Sequence, residues 1–126
     1  MLRTTFAIAT ATVLSTTAFA QDDGISWKAT EVGTGLYMLE GEGGFPGGNL
    51  GLMSGSDGNV LIDNGLATTT ATTVATIERM TEGPVNFVVN THAHGDHTGS
   101  NHAFTAAGAT VVAHNNLRQA LIEDDT

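Results

Sequence analysis

The sequence contains no cysteine. That removes disulfides and thiolate metal ligands together, so any metal site built from this chain uses nitrogen and oxygen. Basic residues are also scarce: 4 Lys and Arg stand against 13 Asp and Glu, a formal net charge of −9. A nucleic-acid partner needs a basic footprint, and an anionic membrane surface attracts basic segments, so neither partner is expected. No apolar run reaches the roughly 20 residues of a membrane span. The apolar stretch from Phe6 to Leu14 is short and diluted by threonine. A Gly-x-Ser-x-Gly nucleophile motif is missing, as is a glycine-rich phosphate loop with its lysine.

What is present begins with a leader pattern. Arg3 precedes the apolar stretch, and Ala18-Phe19-Ala20 is a small-x-small cleavage site before Gln21. Residues 1–20 are therefore expected to be a secretory signal peptide, and the protein to be exported, to a bacterial periplasm. With no cysteine at the cleavage site, lipid attachment is not expected, nor is a stable membrane anchor after cleavage. Residues 21–30 are polar and expected to be a flexible mature N-terminus. The 106 residues after the leader allow one domain at most, assigned to 31–126, burying roughly 60–70% of the unfolded surface.

Within that domain, Glu31–Glu40 is predicted to be a strand around Leu36-Tyr37-Met38-Leu39. Gly41–Gly48 is a glycine-rich loop. Leu50–Met53 and Val60–Ile62 form a hairpin about Ser56-Asp57-Gly58-Asn59. Ala67–Thr81 is a helix with Ala67, Ala71, Val74, Ile77 and Met80 on its apolar face, stopped by Gly83-Pro84. Val85–Asn90 is a buried strand, Asn101–Ala107 a short helix, Ala109–Ala113 a strand, and Leu117–Glu123 a last helix capped by Asn116. This order predicts an α/β (α+β) unit, one mixed sheet with helices on one face. The other face would carry Leu36, Leu52, Leu61 and Val88 uncovered, a surface suited to self-association.

The strongest signal is His92-Ala93-His94-Gly95-Asp96-His97, three imidazoles and a carboxylate in six residues. Imidazole nitrogen and carboxylate oxygen are the ligand set that suits zinc. In extended backbone, side chains two apart point the same way, so His92 and His94 can reach one metal. Asp96 and His97 follow the turn at Gly95 and can face a second. One or two zinc ions are expected, with other divalent metals as substitutes.

This His-x-His-x-Asp-His run resembles the metallo-β-lactamase superfamily. So do Gly48-Asn49-Leu50-Gly51, Val60 to Gly65, Val85 to His92 and Thr98-Gly99-Ser100-Asn101, in that order. The resemblance runs from Val32 to Glu123 and implies the N-terminal half of an αββα sandwich. It implies that His92 and His94 serve one zinc, and Asp96 and His97 a second. It also implies that Asp63 sits beneath the metal loop and fixes it by hydrogen bonds, as metal-bound histidines require. The implied activity is hydrolysis of an ester, thioester or amide-type bond in a small-molecule substrate by metal-activated water, with Asp96 orienting that water and accepting its proton.

Phe45, on the glycine-rich loop, is a candidate substrate flap; a plain hairpin connection is the other reading of that loop. His102 and His114 read as surface or hydrogen-bonding histidines. Each metal has only two matching ligands, so the chain is expected to be a truncated domain, inactive alone. The alternative is a non-catalytic half-domain that binds metal or assembles with a partner. Mass spectrometry of exported protein is expected to find Gln21 at the N-terminus; an intact Met1 would overturn the leader assignment.

Overall fold

The computed structural model describes residues 24–124, with the Asp124 side chain left aside. The leader at 1–20 and its cleavage site lie outside the described residues. A single six-stranded sheet runs in strict sequence order, β1 to β6. Its strands are β1 (Ser26–Gly33), β2 (Leu36–Glu42), β3 (Leu50–Gly55), β4 (Gly58–Ile62), β5 (Val85–Val89) and β6 (Thr110–Val112). The first four pair antiparallel, and β5 and β6 add in parallel. A short 3₁₀ turn (Ala67–Thr69) leads into α1 (Thr70–Met80). The turn α2 (Gly95–Thr98), α3 (Asn101–Ala106) and α4 (Asn115–Asp124) complete the chain. The expected mixed sheet with helices on one face is the observed architecture. Among the described residues no helix is long and apolar enough to cross a membrane.

Turn chemistry explains the strand ends. Thr34 and Gly35 link β1 to β2, with Gly35 at φ +69. The single strand expected over Glu31–Glu40 is therefore two. Ser56 and Asp57 close the β3–β4 hairpin, where Gly55 faces Gly58, and Gly58 at φ +117 supplies a backbone angle that other residues resist. Gly108, at φ +99, lies between α3 and β6.

The flexible segment expected at 21–30 is corrected over Ser26–Thr30, which belongs to β1. Trp27 holds it there. Its ring is buried, and its Nε1–H donates to Thr73 Oγ1 at 2.9 Å. Packing of one indole outweighs the polar composition around it.

The buried face of α1 also differs from expectation. Ala67 and Ala71 are exposed, while Thr69, Thr73, Thr76 and Ile77 are buried. Burial of threonine is tolerated because the hydroxyls are satisfied. Thr69 donates to Leu66 O at 2.9 Å and Thr73 to Thr69 O at 3.0 Å, while Thr76 accepts from Arg79 at 3.0 Å.

The core lies between helices and sheet, with Leu39, Leu50, Leu52, Leu61 and Val88 at its floor and Trp27, Ile77 and Phe104 above. Leu52, Leu61 and Val88 form one cross-strand row. They are fully buried, which corrects their placement on the open face. The row that does face away from the helices is Leu36, Met53, Val60 and Phe87, one residue out of step. Leu36, Met53 and Phe87 are exposed. A shift of one along a strand exchanges the two faces.

Replacing Thr73 with Val leaves the Trp27 indole N–H buried without an acceptor, at an expected cost of about 1–3 kcal/mol. The double change Trp27→Phe, Thr73→Val should cost less than the sum of the two single changes, read from urea unfolding midpoints.

Candidate metal centre

The site forms where β4 and β5 end side by side. Ile62 pairs with Val89, so the next residues of both strands emerge together. Asp63 leaves β4 at φ +56, the only described residue other than glycine in the left-handed region. Its N–H still bonds Val89 O at 2.9 Å, which keeps it against the end of β5. This turn aims the carboxylate across to Thr91. Oδ1 accepts the Thr91 N–H at 2.8 Å, and Oδ2 accepts the Thr91 hydroxyl at 2.7 Å. Oδ2 also lies 2.9 Å from His97 Nδ1. Asp63 is 4% exposed, so these donors replace water around its carboxylate.

Those contacts fix two imidazoles. A carboxylate oxygen only accepts, so the His97 proton sits on Nδ1 and Nε2 keeps its lone pair free. The Thr91 hydroxyl spends its one proton on Asp63. Its oxygen, 3.0 Å from His92 Nδ1, must then accept from that ring, which leaves His92 Nε2 free as well. One buried carboxylate thus sets two histidines in the tautomer that presents Nε2 to a metal.

Residues 91–93 bend rather than continue the strand, so the extended geometry expected for His92 and His94 is not what pairs them. The rings meet edge to face with centroids 4.8 Å apart, and His92 and His97 lie 3.9 Å apart. His94 stands at the N-cap of α2, and its carbonyl accepts the N–H of His97 at 2.9 Å and of Thr98 at 3.2 Å. That turn brings Asp96 and His97 back over His92. Asp96 Oδ2 lies 3.5 Å from His97 Nε2.

Among the described residues, two groups have ligand atoms within 4.8 Å of one another: His92, His94 and Asp96, and Asp63, His92 and His97. The first fits a metal by its donor chemistry. In the second, Asp63 already accepts three hydrogen bonds, so it braces His97 rather than offering itself as a ligand. His92 belongs to both groups, so the four motif residues surround one space.

Phe45 is 72% exposed on the loop between β2 and β3. The base of that loop touches the site. A Cβ on Gly47 would come within 2.8 Å of Asp96 Cβ, and one on Gly48 within 3.1 Å of the His97 ring. Among the described residues, His102 and His114 join neither ligand group. His102 is exposed, and His114 Nδ1 accepts the Asn116 N–H at 3.2 Å beside the first turn of α4. His114, not Asn116, supplies the side-chain acceptor there. Sequence reasoning missed Thr91, Gly47 and Gly48, and the buried asparagines Asn64 and Asn90. The position of both asparagines just beyond strands ending at one level was the available signal.

The family described as the metallo-beta-lactamase superfamily matches residues 43–125. No curated protein matches. Among solved structures, the metallo-beta-lactamase from Hirschia baltica is 24% identical with a TM-score of 0.61, over 79% of this chain and 48% of that one. The metallo-beta-lactamase FIM-1 from Pseudomonas aeruginosa, in its mono-zinc form, is 18% identical with a TM-score of 0.65, over 84% and 50%. A B3 metallo-beta-lactamase with an active-site glutamic acid is 26% identical with a TM-score of 0.61, over 76% and 34%. The chain thus spans a third to a half of the length of these structures.

Asp63→Ala is expected to destabilise the fold by about 1.5–3 kcal/mol, the range for hydrogen bonds to a charged group. It should also release His97 from its Nδ1–H tautomer. Two-bond ¹H–¹⁵N correlation spectra of the metal-free protein check this; an unchanged His97 pattern would contradict the bracing role.

Proposed function

The chain belongs to the metallo-beta-lactamase superfamily, and on that premise we propose that it carries the His-x-His-x-Asp-His part of the metal centre of a zinc-dependent hydrolase. The observation that carries this reading is the convergence of His92, His94 and Asp96 ligand atoms within 4.8 Å, beside a His97 whose Nε2 is freed by Asp63. His92, His94, Asp96 and His97 would hold the metal, one ion or two. When bound, zinc supplies a Lewis acid that activates water and polarises the scissile group.

The residues of the chain do the rest. Asp63 and Thr91 hold His92 and His97 with Nε2 forward, so neither of these two rings must exchange its proton between nitrogens before binding. Asp96, half-buried beside His97, can orient a water and accept its proton. Phe45 is the candidate substrate wall: its ring is exposed, and the loop that bears it is anchored on Asp96 and His97 through Gly47 and Gly48. The substrate class is a small molecule with an ester, thioester or amide-type bond. Export to a periplasm belongs to the same reading and rests on the leader pattern. For the 126-residue chain on its own, the exposed Leu36, Met53 and Phe87 make self-association through the open sheet face part of the proposal.

Calorimetry of the 126-residue chain with zinc tests the site. Saturable binding is expected, at least about tenfold weaker in His94→Ala and lost in the double change His92→Ala, His94→Ala. Binding unchanged in the double variant would rule out the assignment. Divided between two metals as the resemblance implies, the four ligands give each metal only two, short of the three plus water of an open catalytic site. Turnover of ester, thioester and β-lactam substrates by this chain alone is therefore expected far below the roughly 1 s⁻¹ of ordinary enzymes.

A further inference from the structure

Behind the metal loop lies a run of three asparagines that the motif does not include. Asn64 follows β4, Asn90 follows β5, and Asn101 opens α3. Asn64 is fully buried, Asn90 is 4% exposed, and Asn101 is half-buried. Asn64 Nδ2 donates to Asn101 Oδ1 at 2.6 Å, and Asn101 Nδ2 donates to Asn90 Oδ1 at 2.8 Å. Asn90 Nδ2 then donates to the carbonyl of His97 at 3.2 Å. The backbone N–H of Asn64 reaches that same carbonyl at 3.0 Å, which closes the run into a ring.

The direction of this run is determined, although each amide could be turned over in isolation. At one end Asn64 Oδ1 accepts the backbone N–H of Ser100 at 2.8 Å, and a backbone N–H can only donate. Asn64 must therefore present its NH₂ to Asn101. At the other end the His97 carbonyl can only accept, so Asn90 must present its NH₂ there. The one amide in between, Asn101, has a single orientation that satisfies both neighbours. A carboxylate at any of the three positions would put acceptor against acceptor.

His97 is thus gripped twice, its ring by Asp63 and its carbonyl by Asn64 and Asn90. We infer that the Asn64–Asn101–Asn90 run is a positioning device for His97, fixing the backbone from which its Nε2 is aimed at a metal. The inference rests on the proposed metal site for its consequence. Its physical content, the orientation of His97, does not require a metal. The three asparagines bond one another, the His97 carbonyl and the Ser100 N–H, and none belongs to either ligand group among the described residues.

Asn101→Asp tests it. The change keeps size and keeps the acceptor facing Asn64, but removes the N–H offered to Asn90. Two readouts are taken on the 126-residue chain. In metal-free, ¹⁵N-histidine-labelled protein the His97 Nδ1–H resonance should shift or be lost to exchange. Zinc affinity, measured against a chromogenic chelator, should fall 10–100-fold, the loss typical when a partner that orients a metal-binding histidine is removed. The control is Asn59→Ser, in β4 at the opposite end of the sheet. There the Asn59 amide donates to the carbonyls of Glu82, Gly83 and Pro84 at 3.3, 3.2 and 3.1 Å. Asn59→Ser should lower the unfolding midpoint and leave both His97 readouts in place.

If Asn101→Asp changes neither the resonance nor the affinity, the inference is overturned. It is equally overturned if Asn59→Ser changes both by as much, because general loosening would then explain the effect. If the unaltered chain binds no zinc, the functional proposal fails, and the His97 resonance alone decides the positioning role. Should Asn101→Asp not fold, Asn101→Ala, which cuts the links to both Asn64 and Asn90, is read in the same way.

Discussion

The whole site depends on one buried carboxylate held in an unfavourable backbone conformation. Left-handed φ is costly for most residues other than glycine, and aspartate is among those that bear it best. At Asp63 that angle turns the side chain from its own strand to the neighbouring one. The three donors that converge on it, two from Thr91 and one from His97, stabilise the turn. Strand pairing and metal-loop geometry are thereby coupled. The β4–β5 register brings Asp63 and Thr91 to one level, and Asp63 passes that alignment to His92 and His97 as a choice of tautomer. Glycine at position 63 would relieve the backbone and lose the function of the turn.

The sheet and the metal loop were legible because their signals are local. The β3–β4 hairpin shows in Asp57-Gly58, α1 in its three-four periodicity, and the ligands in six consecutive residues. What was not legible depends on contacts between distant segments. Trp27 sits among polar residues, and nothing nearby says that its indole N–H finds Thr73 46 residues later. The threonines of α1 have weak helix propensity, and their sequence positions fall outside the apolar face read from Ala67, Ala71, Val74, Ile77 and Met80. They are buried because threonine is close to valine in shape once its hydroxyl bonds a carbonyl one turn back.

Which sheet face is covered was misjudged for a different reason. Leu50-Gly51-Leu52-Met53, Val60-Leu61-Ile62 and Phe87-Val88-Val89 are apolar at both parities, so alternation carries no information there. Only Trp27 and Leu39 on the helix side, with Lys28 and Glu40 3.9 Å apart on the other, break the tie, and they do so on β1 and β2. The asparagine run escaped notice because its members are far apart in sequence. Asparagine also reads as loop residue wherever strands end.

The strand order has a kinetic consequence. Each strand of β1 to β6 lies beside the one synthesised just before it, so no pairing waits for a distant segment. The longest excursions within the sheet are the two helical crossovers, α1 between β4 and β5 and α2 with α3 between β5 and β6. Loop-closure entropy grows only slowly with loop length, and the antiparallel pairings from β1 to β4 are local, so the two parallel pairings of β5 and β6 are the slower steps. Pairing can therefore follow the chain from β1 to β6. Asp63, at the end of β4, precedes Thr91 and His97 in that order, and its turn is completed only when β5 and the metal loop supply their partners.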